Sequence, residues 1–194
     1  MNNQGNESIE DGHTVHRCAW LKLSNPLYVK YHDEEWSVPK HDDQQLFELL
    51  ILESFQAGLS WECILNKREH FRQAYRHFDP HVVAGFNDRD RLRLISDPGI
   101  VRNRLKVDAS IVNSRIFLDI QKEFGSFDAY IWGFTDGKSI REPYHIRTKS
   151  ELSDRISKDL KRRGMKFVGS TTIYSYLQAI GVLLAHGEEC DWCR

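Results

Sequence analysis

The residues best suited to chemistry lie in one stretch, Leu46 to Trp61 (LFELLILESFQAGLSW), where two carboxylates sit in an otherwise apolar run. Read as a helix, its first part is apolar on nearly every side, the pattern of an element buried all round. On a helical wheel Glu53 falls between Leu46, Leu49 and Leu50, so packing of those leucines would deny it water. A buried carboxylate has to be paired, hydrogen-bonded or neutralised, because leaving it bare costs several kcal/mol or more. The run breaks at Gly58 and then delivers Trp61. A buried acid, a glycine turn and a large aromatic make a pocket wall. The plainer alternative is a core helix whose Glu48 and Glu53 both reach solvent or a salt bridge.

A second group of chemically capable residues is split between the ends of the chain. Cys18 and His32 lie early, His186 and Cys190 late, and the His186-x-x-x-Cys190 gap is a usual step between zinc ligands at a helix end. Two cysteines and two histidines would fill a tetrahedron and leave no open position, which makes such a site structural. A rival set takes Cys193 from the Cys190-Asp191-Trp192-Cys193 pair, with His186 and Cys18; the third reading is no metal at all. Aromatic residues crowd the first half-site: Trp20, Tyr28, Tyr31 and Trp36, with Trp61 beyond. Such faces can sandwich a flat base and attract a cationic one. Plain core packing is the alternative, and the preferred one for Trp36.

From Asn87 to about Ile120 the chain has the form of a helix-hairpin-helix, with Pro98-Gly99-Ile100-Val101 as the hairpin. Glycine allows a tight turn and close approach to another surface. The amides opening the second helix favour an anion, and Arg102, Arg104 and Lys106 add charge beside them. Hairpins of this kind grip the DNA backbone without reading sequence; an ordinary αα-hairpin would look the same. The basic turn Lys158 to Lys166 reads as a solvated helix end, and it or the helix start at Gly169 to Thr172 could also track phosphates.

These groups are expected to ride on helices. Met1 to His16 has no hydrophobic period and reads as a disordered tail, leaving residues 17–194 as a single domain. Pro26 opens a short helix through Tyr31. Asp42 or Asp43 caps the helix that reaches Gly58, and Ser60 caps one continuing to about His77. Asp79-Pro80 opens a short helix, and Asn87 with Asp90 caps the next. A long amphipathic helix runs from about Arg102 to Glu123 and ends at Gly125, followed by an aromatic helix around Phe127 to Phe134. Residues Thr135 to Arg147, with Gly137 and Pro143, form an irregular loop. Thr148 and Glu151 have capping-box spacing ahead of a helix stopping at Gly164, and a last helix spans Ile173 to about His186. Nothing alternates at period two for long, so the fold class is all-α, in eight or nine helices by periodicity.

The chain has 194 residues, 40% hydrophobic and 28% charged, enough for one good-sized domain or two lobes around a shared core. A formal net charge of −1 argues against a wholesale basic coat while leaving room for a local basic face. No run is long enough to span a bilayer and no signal-peptide pattern is present, so the expectation is a cytoplasmic or nuclear protein, nucleoid-associated if bacterial. In that setting the four cysteines read as thiols or metal ligands.

Taken together these residues resemble the type I DNA-3-methyladenine glycosylases. The matching pieces are Arg17-Cys18-Ala19-Trp20, Pro26-Leu27-Tyr28, Tyr31-His32-Asp33, Glu35-Trp36 and Leu46-Phe47-Glu48. They continue with Leu52-Glu53, Gln56 through Trp61, Gly99 through Arg102, Arg163-Gly164, Lys166 through Gly169, and His186 with Cys190. The likeness runs from about Arg17 to the C-terminus in order and spacing. It implies an all-α, two-lobed helix-hairpin-helix glycosylase with the damaged base bound between the lobes. It implies one structural zinc on Cys18, His32, His186 and Cys190, against the set with Cys193. It implies that Glu53 hydrogen-bonds the flipped base, that Trp61 and Tyr31 stack on it, and that Trp20 and Tyr28 lie nearby. Gly58 and Leu59 would press into the DNA where the base has left, with the Gly99, Ile100, Val101 and Arg102 hairpin on the backbone and Ser175 near the strand. Departures are Ser37 where the family usually has glycine, Ser54-Phe55 beside Glu53, and one extra residue between Cys18 and His32. Asp119 stands at the offset where many hairpin glycosylases keep a sugar-supporting aspartate, but it reads as surface, and this family does not use one.

The implied activity is excision of 3-methyladenine from alkylated double-stranded DNA by a monomeric hydrolase, leaving an abasic site. The N3-methylated base is already cationic and leaves as a neutral molecule, so the enzyme has mainly to flip and hold the nucleotide. With no catalytic lysine, no lyase step is expected. Two other classes stay in view: a catalytically inactive module recognising damaged DNA, and a zinc hydrolase, which four protein ligands would exclude.

Overall fold

A computed structural model describes residues 6–10, 13–142 and 147–193. Among them are ten α-helices, in agreement with a mostly helical fold, against the eight or nine that periodicity gave. The core is built around α2 (Asp43–Gln56), in which every residue from Leu46 to Phe55 is buried. Asp42 caps it by accepting from the Gln45 amide, and the helix ends before Gly58, whose φ of +79° is the left-handed turn that glycine adopts freely. Around α2 pack α3 (Trp61–Leu65), capped by Ser60, α7 (Arg104–Phe124), capped by Asn103, α8 (Phe127–Gly133) and α10 (Ser170–Ala179). No described helix is long and apolar enough to cross a membrane.

The cap residues set the short elements where sequence placed them. Asn25 accepts from the amides opening α1 (Pro26–Glu34), Asp79 caps α5 (Pro80–Ala84), and Asn87 with Asp90 closes a capping box on α6 (Asp88–Ser96). Other boundaries differ from expectation. The helix foreseen from Ser60 to His77 is broken into α3, α4 (Arg68–Ala74) and a left-handed turn at Arg76–Phe78, where burial of Phe78 and a bond from Gln44 Nε2 to the His77 carbonyl outweigh helical periodicity. The box opening α9 (Glu151–Arg162) uses Ser150 and Ser153 rather than Thr148 and Glu151. The last helix stops at Ala179, well short of His186.

The chain is also not purely α. The tail foreseen at residues 1–16 contains β1 (Asn6–Glu10) paired antiparallel with β2 (His13–Arg17); its remaining residues, 1–5 and 11–12, lie outside the described ones. Long-range polar contacts hold it where apolar burial is scant: the amide of His16 donates to Asp191, and the Asn6 side chain to the carbonyls of Cys18 and Leu21. The loop foreseen at Thr135 to Arg147 holds β3 (Ile140–Arg141), parallel to β4 (Leu183–Leu184). Pro143 of that loop lies outside the described residues.

Candidate active site and metal centre

Helix α1 delivers two neighbouring side chains to two different places. Tyr31 points to a cavity of about 250 Å3 lined by Trp20, Tyr28, Tyr31, Trp36, Glu53, Gln56, Trp61, Ser175 and Gln178. That is smaller than the roughly 300–1,000 Å3 typical of drug-sized ligands. The two walls meet at Tyr31 and Trp61, whose ring centroids are 5.2 Å apart. The opposite wall is Trp20, tilted on Tyr28 at 5.4 Å and edge-on to Trp36 at 4.8 Å.

Glu53 is 4% exposed, and its Oε2 has no hydrogen-bond partner within the protein. Burial pushes its carboxyl up to about 8, and the same burial, with Glu53 close by, holds the Tyr31 phenol well above its ordinary range. Among the described residues, three more buried side-chain atoms lack partners: the Nε1 of Trp20, the Nε1 of Trp61 and the Nε2 of Gln178. All four residues line the same cavity. Buried polar atoms are nearly always satisfied, and each orphan costs about 1–3 kcal/mol. Four orphans around one cavity are the complement of a polar ligand.

Glu48, in the same helix, is treated differently. Its carboxylate accepts from Arg68 Nε at 2.5 Å and from Arg72 Nε at 3.1 Å, and Arg68 also pairs with Glu35 at 2.6 Å. This is a satisfied ionic cluster, in keeping with a structural role for Glu48.

His32, beside Tyr31, turns the other way. Its Nε2, His186 Nδ1 and the Sγ atoms of Cys18 and Cys190 all lie within 4.8 Å of one another, and all four residues are buried. Sulfur–nitrogen separations are 3.6 Å for Cys18–His186, 3.6 Å for Cys190–His32 and 3.5 Å for Cys190–His186. A zinc ion with Zn–S near 2.3 Å and Zn–N near 2.05 Å at tetrahedral angles puts sulfur and nitrogen about 3.6 Å apart. The outer ring nitrogens are engaged: His32 Nδ1 lies 2.7 Å from Asp33, itself clamped by Arg17, and His186 Nε2 lies 3.2 Å from the Trp36 carbonyl. Those contacts fix each tautomer with the inner nitrogen bare, as metal ligands require. The two thiols shift in opposite directions, Cys18 up through its hydrogen bond to Cys190 and burial, Cys190 down through the same bond and those of the histidines. A pair sharing one proton this way suits a divalent cation that displaces it. The four side chains therefore fit a closed metal site. Cys193 stays outside it, its Sγ directed at the His186 carbonyl and contacted by Arg141.

The Gly58–Leu59 turn connects two lining residues, Gln56 and Trp61, and so lies at the cavity rim, with Leu59 42% exposed. Gly99 is required for a reason internal to the protein: a Cβ there would sit 2.9 Å from the His70 ring. Ile100 is buried, so only its backbone could face a partner, while Val101 is half-buried and Arg102 exposed. Lys106, foreseen as surface charge, is buried; its Nζ donates to the carbonyls of Phe55 at 2.7 Å and Ala57 at 2.6 Å, neutralising the C-terminal end of α2. In the basic turn, Arg163 is taken up by Glu123 and Asp159. Ser175 lies in the cavity wall itself, and Asp119 is exposed and pairs with Lys122. Ser54 bonds back to the Leu50 carbonyl and Phe55 packs on Phe71, so neither departure beside Glu53 lines the cavity. Ser37 has φ +59°, the left-handed backbone that favours glycine, and its hydroxyl accepts from the Ala185 amide.

Sequence reasoning missed Gln56 and Gln178 as lining residues. Gln178 carried a detectable signal, standing with Ser175 as a polar residue in the otherwise apolar run Ile173 to Ala185.

Residues 20–194 match the family model described as methyladenine glycosylase. A curated relative from Escherichia coli (strain K12), DNA-3-methyladenine glycosylase 1, is 42% identical over 91% of this chain and 96% of its own length. A crystal structure of 3-methyladenine DNA glycosylase I superposes with a TM-score of 0.87 at 41% identity, covering 91% of this chain and 98% of that one. A tyrosine-to-phenylalanine variant of such an enzyme, in complex with 3-methyladenine, gives a TM-score of 0.85 at 37% identity, covering 89% and 95%.

Proposed function

The chain belongs to the methyladenine glycosylase family, and on that premise we propose that it excises 3-methyladenine from alkylated double-stranded DNA as a monomer. One observation carries the reading: the four unpartnered buried polar atoms among the described residues all belong to side chains lining one aromatic cavity. A planar, polar base is the ligand such a cavity asks for.

In this reading the flipped base stacks against Trp61 and Tyr31, with Trp20 and Tyr28 completing the walls. Glu53 is the catalytic residue in the sense that it touches the base: its carboxyl, protonated near pH 7 in the empty cavity, ionises as the cationic base enters and then accepts a hydrogen bond from the base edge and matches its positive charge. The bond from C1′ to the base then breaks with its electron pair going to the base, which departs neutral. Water adds at C1′ and gives up a proton, leaving an abasic site. The cation already carried by the substrate supplies much of what an acid catalyst would otherwise do, and no lysine lines the cavity to support a lyase step. Gly58 and Leu59, at the rim, fill the gap left by the base. The stretch from Asn87 to Ile120, two helices joined through Asp97 to Asn103, acts as a helix-hairpin-helix on the DNA backbone through Gly99, the Ile100 backbone, Val101 and Arg102. Ser175, in the cavity wall, faces the flipped nucleotide.

Cys18, His32, His186 and Cys190 would hold one zinc ion, which supplies a cross-link between the two ends of residues 17–194, read here as one domain in two lobes. Its four protein ligands leave no position for water.

The test is release of free base from methylated duplex DNA. Wild type should release 3-methyladenine, and Glu53→Ala should lose more than about 100-fold of that rate while keeping its fold and metal content. Full release by the variant would remove Glu53 from the reaction. No release by wild type would leave only a module that binds damaged DNA.

A further inference from the structure

Gln178 enters the cavity from α10, which packs against the helix that carries Glu53. Its side chain is 7% exposed, and its Nε2 is one of the four unpartnered atoms. The backbone around it is held firmly. The Gln178 carbonyl accepts from the Ser37 amide at 3.0 Å, and the Lys40 ammonium caps the end of α10 by donating to the Ala179 carbonyl at 3.1 Å. Lys40 is tied in turn to the carbonyls of Glu35 and Val38. The amide is therefore presented by a rigid helix end; within the protein it lies near the Tyr174 hydroxyl, which itself donates to Glu142 at 3.0 Å, without closing a hydrogen bond to it. A buried donor kept bare on a rigid element costs stability, so its satisfaction belongs to the bound state.

Resting on the base-excision reading above, we propose that the Gln178 side-chain amide donates a hydrogen bond to a ring nitrogen of the bound base, so that Gln178 and Glu53 together select a purine presenting an exocyclic amine next to a ring-nitrogen acceptor. Adenine presents that donor–acceptor order on both free edges, the amine beside N1 and beside N7. Guanine presents a carbonyl oxygen in place of the amine, which faces an acceptor on Glu53 with another acceptor. A site built for a specific hydrogen bond rejects the base lacking it, because the site's own polar groups then stay unpaired. Glu53 reads the exocyclic amine; Gln178 adds to the preference for 3-methyladenine over 3-methylguanine where its acceptor is N1, which carries a hydrogen in guanine, whereas N7 accepts in both bases.

The experiment is equilibrium binding of free 3-methyladenine, its 1-deaza and 7-deaza analogues, and 3-methylguanine to wild type and to Gln178→Leu, with thermal unfolding of both unliganded proteins. Gln178→Leu should weaken 3-methyladenine about tenfold and unfold at the same or a higher temperature, and its margin over 3-methylguanine should narrow if the 1-deaza analogue is the one that loses affinity for wild type. A merely structural glutamine would instead lower the melting temperature when replaced. One deaza analogue should bind wild type about tenfold more weakly than 3-methyladenine does, yet bind the variant as well as 3-methyladenine does. Equal affinity of both proteins for 3-methyladenine would overturn the assignment, as would an equal loss for both deaza analogues in both proteins. If wild type itself binds no 3-methyladenine, the excision reading fails first.

Discussion

Trp36 stands between two polar sites that handle their hydrogen bonds in opposite ways. Its ring meets His32 and His186 of the cysteine and histidine cluster on one side and Trp20 of the cavity on the other. In the cluster, each histidine has its outer nitrogen engaged by Asp33 or a carbonyl, and the four inner donor atoms converge on one point. In the cavity, a carboxylate oxygen, two indole N–H groups and an amide are buried with nothing to bond. A closed network stabilises the protein once its centre is filled; an open one sacrifices stability to be ready for a ligand. The same contrast recurs within α2, where Glu48 is gripped by Arg68 and Arg72 while Glu53 is bare. Burial alone thus does not mark a functional acid. What separates the two is whether the protein itself satisfies the group.

That contrast can be broken at the cluster first, where the largest effect is expected. Cys190→Ser should abolish the bound zinc and cost more than about 5 kcal/mol, since metal affinity in a structural site is folding free energy. Cys193→Ser should keep one zinc per chain and wild-type stability. Metal analysis with chemical denaturation checks both, and equal zinc loss in the two variants would shift the site to the rival ligand set.

The next effect belongs to Glu48. Removing one partner of a buried ion pair leaves an uncompensated charge, so Glu48→Gln should destabilise by about 3 kcal/mol and lower the melting temperature by roughly 6–12 °C for a chain of this size. Arg68 would keep only Glu35. A melting temperature unchanged within 1–2 °C on scanning calorimetry would erase the distinction drawn between the two glutamates.

The last effect is a slope with pH and carries the opposite sign. Glu53 has its folded pKa raised from about 4.5 to about 8, so the folded state holds its proton more tightly than the unfolded one. Its contribution to stability is therefore fully present below about pH 4.5 and is lost as pH rises to about 8, by at most about 1.4 kcal/mol per pH unit. Glu53→Gln should remove that slope and gain on wild type from pH 5 to pH 8. Urea midpoints measured across this range settle it, and parallel profiles would mean that Glu53 is solvated.

Much of the helical framework was legible because it is written locally. Asp42, Ser60, Asp79 and Asn87 each cap a helix by bonding an amide two or three residues away, and that requires no knowledge of the rest of the chain. The burial of α2 was legible for a similar reason, since an all-round apolar helix has only one place to go. The misread elements depend on distant partners. The β1–β2 hairpin bonds to Asp191, β3 pairs with β4, and the turn at Arg76–Phe78 is held by Gln44. Lys106 read as phosphate-facing charge because local pattern cannot reveal that the end of α2 lies within reach of its ammonium.

The sequence by itself determined which atoms were available: an acid in an apolar helix, a glycine turn before a tryptophan, and two cysteines and two histidines at opposite ends. Spacing and wheel geometry are enough to place Glu53 among Leu46, Leu49 and Leu50, because they follow from the helix period. Which polar groups would go unanswered was decided only by tertiary structure. Satisfaction is a property of pairs, and the pairs here join α2 to α4, α1 to the last turn of the chain, and α7 to the end of α2. Helix α10 brought Gln178 into the lining of the cavity that holds Glu53 and left its Nε2 without a hydrogen bond. Glu48 and Glu53 are the same residue type in the same helix, and only the arginines of α4, reaching one and not the other, separate a structural glutamate from the candidate base reader.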